Sequence, residues 1–498
     1  MKANSGRMSQ VSMRWLMGLL LAVSACFVLS DCAGVEIAEK SAGVEMAEKS
    51  VERMTATRFE AKGPTQPVKL ERSQHKGAVQ VFFDLLPTSM SFDLPWNYCM
   101  VAENGIKLSY FAAETYDPRD FDGTGGAASF EPGMDREGRY VRVWIEHQSD
   151  ARIVVRIRYA LANNLYDIAH PDIPSGSPYG KGSWADEWFY IYPDSVHVRH
   201  MRIYTGLAPV SRPFGFDRVP PKVVHEFMES VVRGQPGHKP TDDIDVNALT
   251  LIRLFGSHSE VVIPEGISTT ISYKPYPDGF GEFRDASIML INLKSQYKPF
   301  TIGMPYGVRV QPYMPEGPLP HVFQTWGYSP RRGYTAALGH MLNYWHYRRT
   351  DNTLEQVYLH GMTNAEDPVK ELVPLAWSWV AAPRLQMDGL EPDYMKFIYD
   401  PAQKAYIVPR KGRGPTALEF ALEADDDRDA PSWIINPAFI VKDWDEPGIE
   451  LKVDGQPIEQ GKAFRVGYEQ TPTGKDLIIW LKIRSDKTVR FSLSPVNK

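Results

Sequence analysis

The segment from Gly339 to Arg349 (GHMLNYWHYRR) gathers more proton-transfer chemistry than any other part of the chain. Read as a strand, its alternation places His340, Tyr344, His346 and Arg348 on one face; read as a helix, His340 and Tyr344 still adjoin at i and i+4. In both readings an imidazole and a phenol can meet. Such a pair suits removal of a proton from a carbon next to a carboxylate, with His or Tyr as the base and an Arg stabilising the charge that builds on the carboxylate. The same spacing also describes an aromatic sheet face with satisfied histidines, and on spacing alone that is the simpler description.

A second concentration is cationic. Arg142, Arg152, Arg156 and Arg158 fall on the non-aliphatic side of one predicted hairpin, beside Tyr140 and Trp144, and His197, Arg199, His200 and Arg202 follow in the next. Planar guanidinium groups pair bidentately with carboxylate and sulfate-like oxyanions, and rings beside them stack on sugar faces. An acidic polysaccharide offers both features. Other chemistries lack their signatures: there is no phosphate-binding Gly-Lys loop, no dinucleotide Gly pattern after a strand, no HExxH and no nucleophile-elbow serine. Asp117, Asp120, Asp122 and Gly123 lack the ligand spacing and closing Glu of a calcium loop, and with Asp425, Asp426, Asp427 and Asp429 they read as solvated turns. No cofactor and no metal are expected.

The elements that must position these residues have a dominant period of two. Val141, Val143 and Ile145, then Ile153, Val155, Ile157 and Tyr159, alternate with polar residues around a turn at Gln148-Ser149-Asp150, which predicts a half-buried hairpin. A second hairpin runs from Trp188 to Tyr192, turns at Pro193-Asp194-Ser195 and returns from Val196 to Tyr204. In the return strand the apolar parity switches at His200, which predicts a β-bulge. Further strands are expected at 260 to 274, 286 to 294 and 299 to 310, and after Pro383 at 404 to 408, 432 to 441, 448 to 452, 477 to 483 and 488 to 493. The stretch Val223 to Val231 fits a helix by spacing and a strand by its Val content. Sequential short strands without alternating helices predict an all-β protein: a large antiparallel β-sandwich over 67–385, then a smaller C-terminal β-sandwich over 386–498.

The 498 residues are roughly three domains' worth at about 150 residues each. Hydrophobic residues at 43 % and charged ones at 23 % are ordinary for a folded soluble chain, and a net charge of -6 argues against nucleic acid as a partner. Lys2, Arg7 and Arg14 precede an apolar run from Trp15 to Ala25, which fits an export signal over 1–25 that is too short to span a bilayer. Val23-Ser24-Ala25-Cys26 resembles the bacterial lipobox. Cys26 is therefore the expected lipidation site, with a membrane contact through that N-terminal anchor only, in a cell-envelope lipoprotein of the periplasm or surface; secretion after ordinary cleavage is the alternative. AGVEIAEKS at 33 to 41 recurs as AGVEMAEKS at 42 to 50, and 26–66 reads as a solvated tether. Cys99 is expected as a buried thiol.

Several strings resemble a group of exported bacterial polysaccharide-degradation proteins that includes lyases acting on ulvan. They are Glu187-Trp188-Phe189-Tyr190-Ile191-Tyr192-Pro193-Asp194, His225-Glu226-Phe227, Arg233-Gly234-Gln235-Pro236-Gly237, Asn292 to Phe300 and Leu372 to Trp379, with a weaker echo at Asn436-Pro437-Ala438-Phe439. The resemblance implies an all-β protein and β-elimination of uronic-acid glycans. With the residue pattern, it gives an expected polysaccharide lyase whose base is His225, His340 or Tyr344. Arg199 or Arg202 would neutralise the carboxylate in the same groove, and Trp188, Tyr190, Trp326, His346 and Arg348 would hold substrate. A surface lipoprotein that captures glycans without cleaving them uses the same face, and a glycoside hydrolase would need a facing carboxylate pair, for which Glu187 and Glu226 are the nominees.

Overall fold

A computed structural model describes residues 65–66, 79–92, 98–111, 113–116, 129–135, 137–206, 224–225, 227–255, 262–271, 286–303, 308–312, 324–329, 333–343, 347–388, 398–410, 416–424, 430–445 and 448–496. The expected leader, Cys26 and nearly all of the expected tether lie outside these residues. Thr65–Gln66, at the end of the expected tether, pairs antiparallel with Phe82 and Phe83, so these two residues belong to a sheet and not to a tether.

Two large antiparallel sheets form the first unit. One contains, in spatial order, Thr65–Gln66, Val79–Phe83, Ser89–Phe92, Cys99–Val101, Lys107–Phe111, Phe227–Arg233, Gly333–Asn343 and Val308–Pro312, with Gln324–Ser329 also paired to Gly333–Asn343. The other, the central sheet, runs Val262–Ile271, Ile244–Phe255, Ile288–Leu293, Lys298–Gly303, Thr353–Thr363, His197–Tyr204, Trp184–Ile191, Ile153–Ala160 and Arg142–Gln148. The Val223 to Val231 ambiguity resolves as strand. The sheets are joined by one core of alternating residues, among them Val81, Phe92, Met100 and Leu108 from the first and Val155, Ile157, Phe189 and Met201 from the central sheet. Cys99 is a buried free thiol 2.8 Å from Ser109 Oγ.

The inner face of the central sheet corrects two expectations. His197–Tyr204 pairs in unbroken register with both neighbours, so there is no bulge at His200. The apparent switch of parity arises because the buried face itself is polar at His197 and Arg199. Arg199, 2 % exposed, makes hydrogen bonds of 2.7 and 2.8 Å to Glu187 and one of 3.1 Å to the Tyr110 carbonyl. Tyr159 donates to the same carboxylate at 2.6 Å. His197 Nδ1 donates to the Ser195 carbonyl at 2.8 Å, leaving Nε2 to accept from the Tyr98 hydroxyl. A paired, hydrogen-bonded charge is the form in which burial is tolerated.

Helix Pro368–Val380 covers half of the outer face of the central sheet. Asp367 caps it by accepting from the Lys370 amide, and Pro368 occupies the first turn, where a missing N–H costs nothing. Leu372, Val373, Leu375, Ala376 and Trp377 bury against Ile252, Leu254, Phe300, Val357 and Leu359. This helix was not anticipated: two prolines, valines and tryptophans are weak helix formers, and it forms because it buries an apolar face.

The C-terminal unit is a second sandwich of two five-stranded sheets, mostly antiparallel with one parallel pair, around Phe420, Phe439, Phe491, Leu477 and Trp444. Its first strand, Arg384–Met387, straddles the expected boundary. The two units meet closely: a Cβ on Gly467 would stand 2.1 Å from Ser149 Oγ, so only glycine allows this approach.

Candidate glycan-binding face

The half of the central sheet's outer face that the helix leaves uncovered carries the chemistry. Directly paired residues share a face of a sheet. One row across it reads Arg142, Arg158, Asp186, Arg202, Glu355 and Arg348, and the next reads Trp144, Arg156, Trp188, His200 and Val357. Tyr190 belongs to the row after, beside Val154 and Val198. Four arginines and two carboxylates in the first row leave it positive, and in the second the tryptophans alternate with Arg156 and His200.

The carboxylates orient the arginines. Asp186, fully buried, accepts from Arg156 at 3.3 and 3.1 Å, from Arg158 at 3.2 Å and from the Tyr179 hydroxyl. The guanidinium groups remain within reach of solvent, at 18 % and 27 % exposure. Arg156 lies 4.5 Å from the Trp188 ring centre and 5.1 Å from that of Trp144; Arg158 lies 3.6 Å from that of Tyr179. Aromatic rings thus lie within cation–π distance of both guanidinium groups.

Glu355 organises the other end. Its two oxygens take His200 Nε2 at 2.9 Å and Arg202 Nε at 2.7 Å. Burial alone would raise this carboxyl, but His200 and Arg202 hold it below the ordinary carboxylate range. A carboxylate on Nε2 places the proton of a neutral imidazole there, so the lone pair sits on Nδ1. The ring stacks on Trp188 with centres 5.3 Å apart, and Tyr347 meets it edge-on at 5.9 Å. The Tyr347 hydroxyl donates to Asp400 at 3.1 Å and receives from Arg348 at 3.3 Å. Burial and the Asp400 charge push its pKa up to about 12, against the opposing Arg348, so it is a neutral donor at pH 7.

Of the residues singled out from sequence, Trp188, Tyr190, Arg202 and Arg348 come together on this face. Arg199 does not, because it points into the core with Glu187 as its fixed partner; both leave the substrate-facing and hydrolase assignments on burial. Arg152 also leaves the exposed cationic face: it is 1 % exposed and reaches Gln403 and Glu469 of the C-terminal unit. His340 occupies the other sheet, where its backbone pairs with Glu229 and Gln311, and Trp326 pairs with Thr335 in that sheet. The core separates that layer from Arg202. His225 pairs with Glu114 in a separate three-stranded sheet. Tyr344, His346, Glu226 and Cys26 lie outside the described residues.

Sequence reasoning missed Glu355, Tyr347, Asp186 and Tyr179. His200 stood in a noted cluster, and strict alternation through 197–204 would have separated His200 and Arg202 from His197 and Arg199. In the other sheet's surroundings, burial and the neighbouring Glu229 raise the Glu131 carboxyl well above the ordinary carboxylate range.

No family model matches the sequence, and no curated protein matches it. Among solved structures the chain is similar to a galactose 1-epimerase from Lactobacillus acidophilus at 7 % identity and a TM-score of 0.28, over 59 % of this chain and 96 % of that one. A GalM/aldose epimerase homologue from C. elegans matches at 6 % and 0.24, over 55 % and 95 %. A polysaccharide lyase matches at 9 % and 0.17, over 87 % and 46 %. At these scores none of them carries an argument about this chain's chemistry.

Proposed function

We propose that the protein is a polysaccharide lyase that seats an acidic, uronic-acid-containing glycan on the arginine and tryptophan rows and cleaves it by β-elimination. The observation that carries this reading is the shared carboxylate of Glu355, which fixes an imidazole base, its side chain 11 % exposed, beside a guanidinium side chain that is 32 % exposed, on a cation-rich face. In the reaction, His200 Nδ1 takes the proton from the carbon bearing the carboxylate. Arg202 and Arg348 stabilise the charge that spreads onto that carboxylate. The bond from the adjacent carbon to the glycosidic oxygen then breaks, a carbon–carbon double bond forms, and the Tyr347 hydroxyl supplies a proton to the departing oxygen. Trp188 and Trp144 stack on sugar rings, and Arg156 and Arg158 bind carboxylate or sulfate groups further along the chain.

The same reading makes the protein an exported lipoprotein, anchored through Cys26, that meets its polymer at the cell envelope. Incubation of the full chain with a panel of uronic-acid glycans tests the chemistry, because elimination creates a conjugated, ultraviolet-absorbing product and hydrolysis does not. A panel bound without such a product favours glycan capture.

A further inference from the structure

We infer that Asp400, a residue of the C-terminal sandwich, is a positioning residue for Tyr347, so that the second sandwich is a working part of the site on the first; Tyr347's part in the chemistry rests on the lyase reading above. The Asp400 carboxylate is itself tightly held. Oδ1 accepts from the Tyr347 hydroxyl at 3.1 Å and from the Ala402 amide at 3.0 Å, and Oδ2 accepts from Gln403 Nε2 at 2.8 Å. The Gln403 side-chain oxygen accepts from Arg152 at 2.8 Å, and Arg152 in turn donates to Glu469 at 2.5 Å.

This chain of bonds crosses between the units more than once. Arg152 immediately precedes the second strand of the cationic hairpin, whereas Gln403 and Glu469 belong to the C-terminal unit. Around it, the Tyr192 hydroxyl donates to the Gln403 carbonyl at 2.5 Å and Trp379 Nε1 to the Pro401 carbonyl at 2.8 Å. The turn that follows strand Tyr399–Asp400 is therefore pinned from the first unit by Arg152, Tyr192 and the helix. A phenol that must deliver a proton to one oxygen needs that phenol oxygen fixed, and a misplacement of about 1 Å can cost on the order of a hundredfold in rate. Asp400 is the acceptor that holds the Tyr347 hydroxyl before the reaction, and the hydroxyl gives up that bond as its proton passes to the departing oxygen. The charged and titratable groups facing Tyr347 are Asp400, Arg348, His200 and Tyr399. Among them Asp400 raises the phenol and Arg348 lowers it.

The test is Asp400→Asn in the full chain, with both proteins labelled with fluorotyrosine and the Tyr347 fluorine resonance assigned by its loss in Tyr347→Phe. Removing the negative charge while keeping the shape should move that resonance and lower the pH at which it titrates. On a uronic-acid glycan, turnover should fall about ten- to hundredfold with KM within twofold, and the alkaline limb of the pH profile should move to lower pH. A purely structural Asp400 would leave the alkaline limb in place, and that result overturns the inference; Gln403→Ala, which removes a donor to Asp400 without altering charge, should lower turnover with the limb unmoved and guards against a misfolded first variant. If the resonance responds but the wild type forms no unsaturated product, the positioning stands and the lyase reading fails.

Discussion

Arg199 and Glu187 face each other through two hydrogen bonds inside the layer between the large sheets, at 2 % and 1 % exposure. Each desolvated charge depends on the other, with Tyr159 donating to the carboxylate and the Tyr110 carbonyl accepting from the guanidinium. Arg199→Met should therefore destabilise the first sandwich by about 3–5 kcal/mol, because Glu187 is left buried and unpaired. A double replacement, Arg199→Met with Glu187→Leu, should recover a large part of that loss in denaturant unfolding. A single replacement without effect would show that water reaches the pair.

The buried histidines set a pH dependence. Burial holds His197 down to about 4, and His360 is likewise lowered. A base whose folded pKa is depressed binds fewer protons folded than unfolded between the two values, so its contribution to stability is present above the unfolded value near 6.5 and is lost as pH falls toward the folded one. The melting temperature should drop between about pH 6.5 and 4. In His197→Gln the slope over that window should be shallower.

How much of this was legible in the sequence depended on whether the signal was local. The hairpin Arg142–Gln148 with Ile153–Ala160 reads directly, because one face is aliphatic and the other charged. His197 and Arg199 misled, because a buried polar face breaks the apolar alternation that locates strands. Glu355 lies 153 positions from Arg202 in the chain, and no spacing rule reaches across a non-local strand pairing. Helix Pro368–Val380 was hidden by residues that disfavour helices in isolation, and tertiary burial overrode their preference.

The cationic rows should dominate affinity. Arg158→Gln and Trp188→Ala should each weaken binding of a polyuronate by about tenfold, and the remaining affinity should fall as salt rises. Arg152→Gln, although it removes a positive charge from the same hairpin, should leave affinity within about twofold, because that side chain is buried against Gln403 and Glu469. Calorimetric titration with the same glycan at two salt concentrations checks all three, and an equal loss from Arg152→Gln would contradict the assignment of the outer face.

The anchor is tested separately from the fold. Cys26→Ser should release the protein from the membrane fraction, whereas Cys32→Ser should leave it there, because Asp31 stands before Cys32 where a lipobox has a small residue. Equal partitioning of wild type and Cys26→Ser would remove the lipoprotein reading.

The central claim is that His200 is the base on an acidic-glycan face, and the most direct measurement is ultraviolet absorbance during incubation of wild type and His200→Gln with uronic-acid glycans. The wild type should release an absorbing unsaturated product, and His200→Gln should lose about 10²- to 10⁴-fold in rate while binding the glycan nearly as well. Full activity in His200→Gln, or no absorbing product from the wild type on any glycan it binds, would contradict the account.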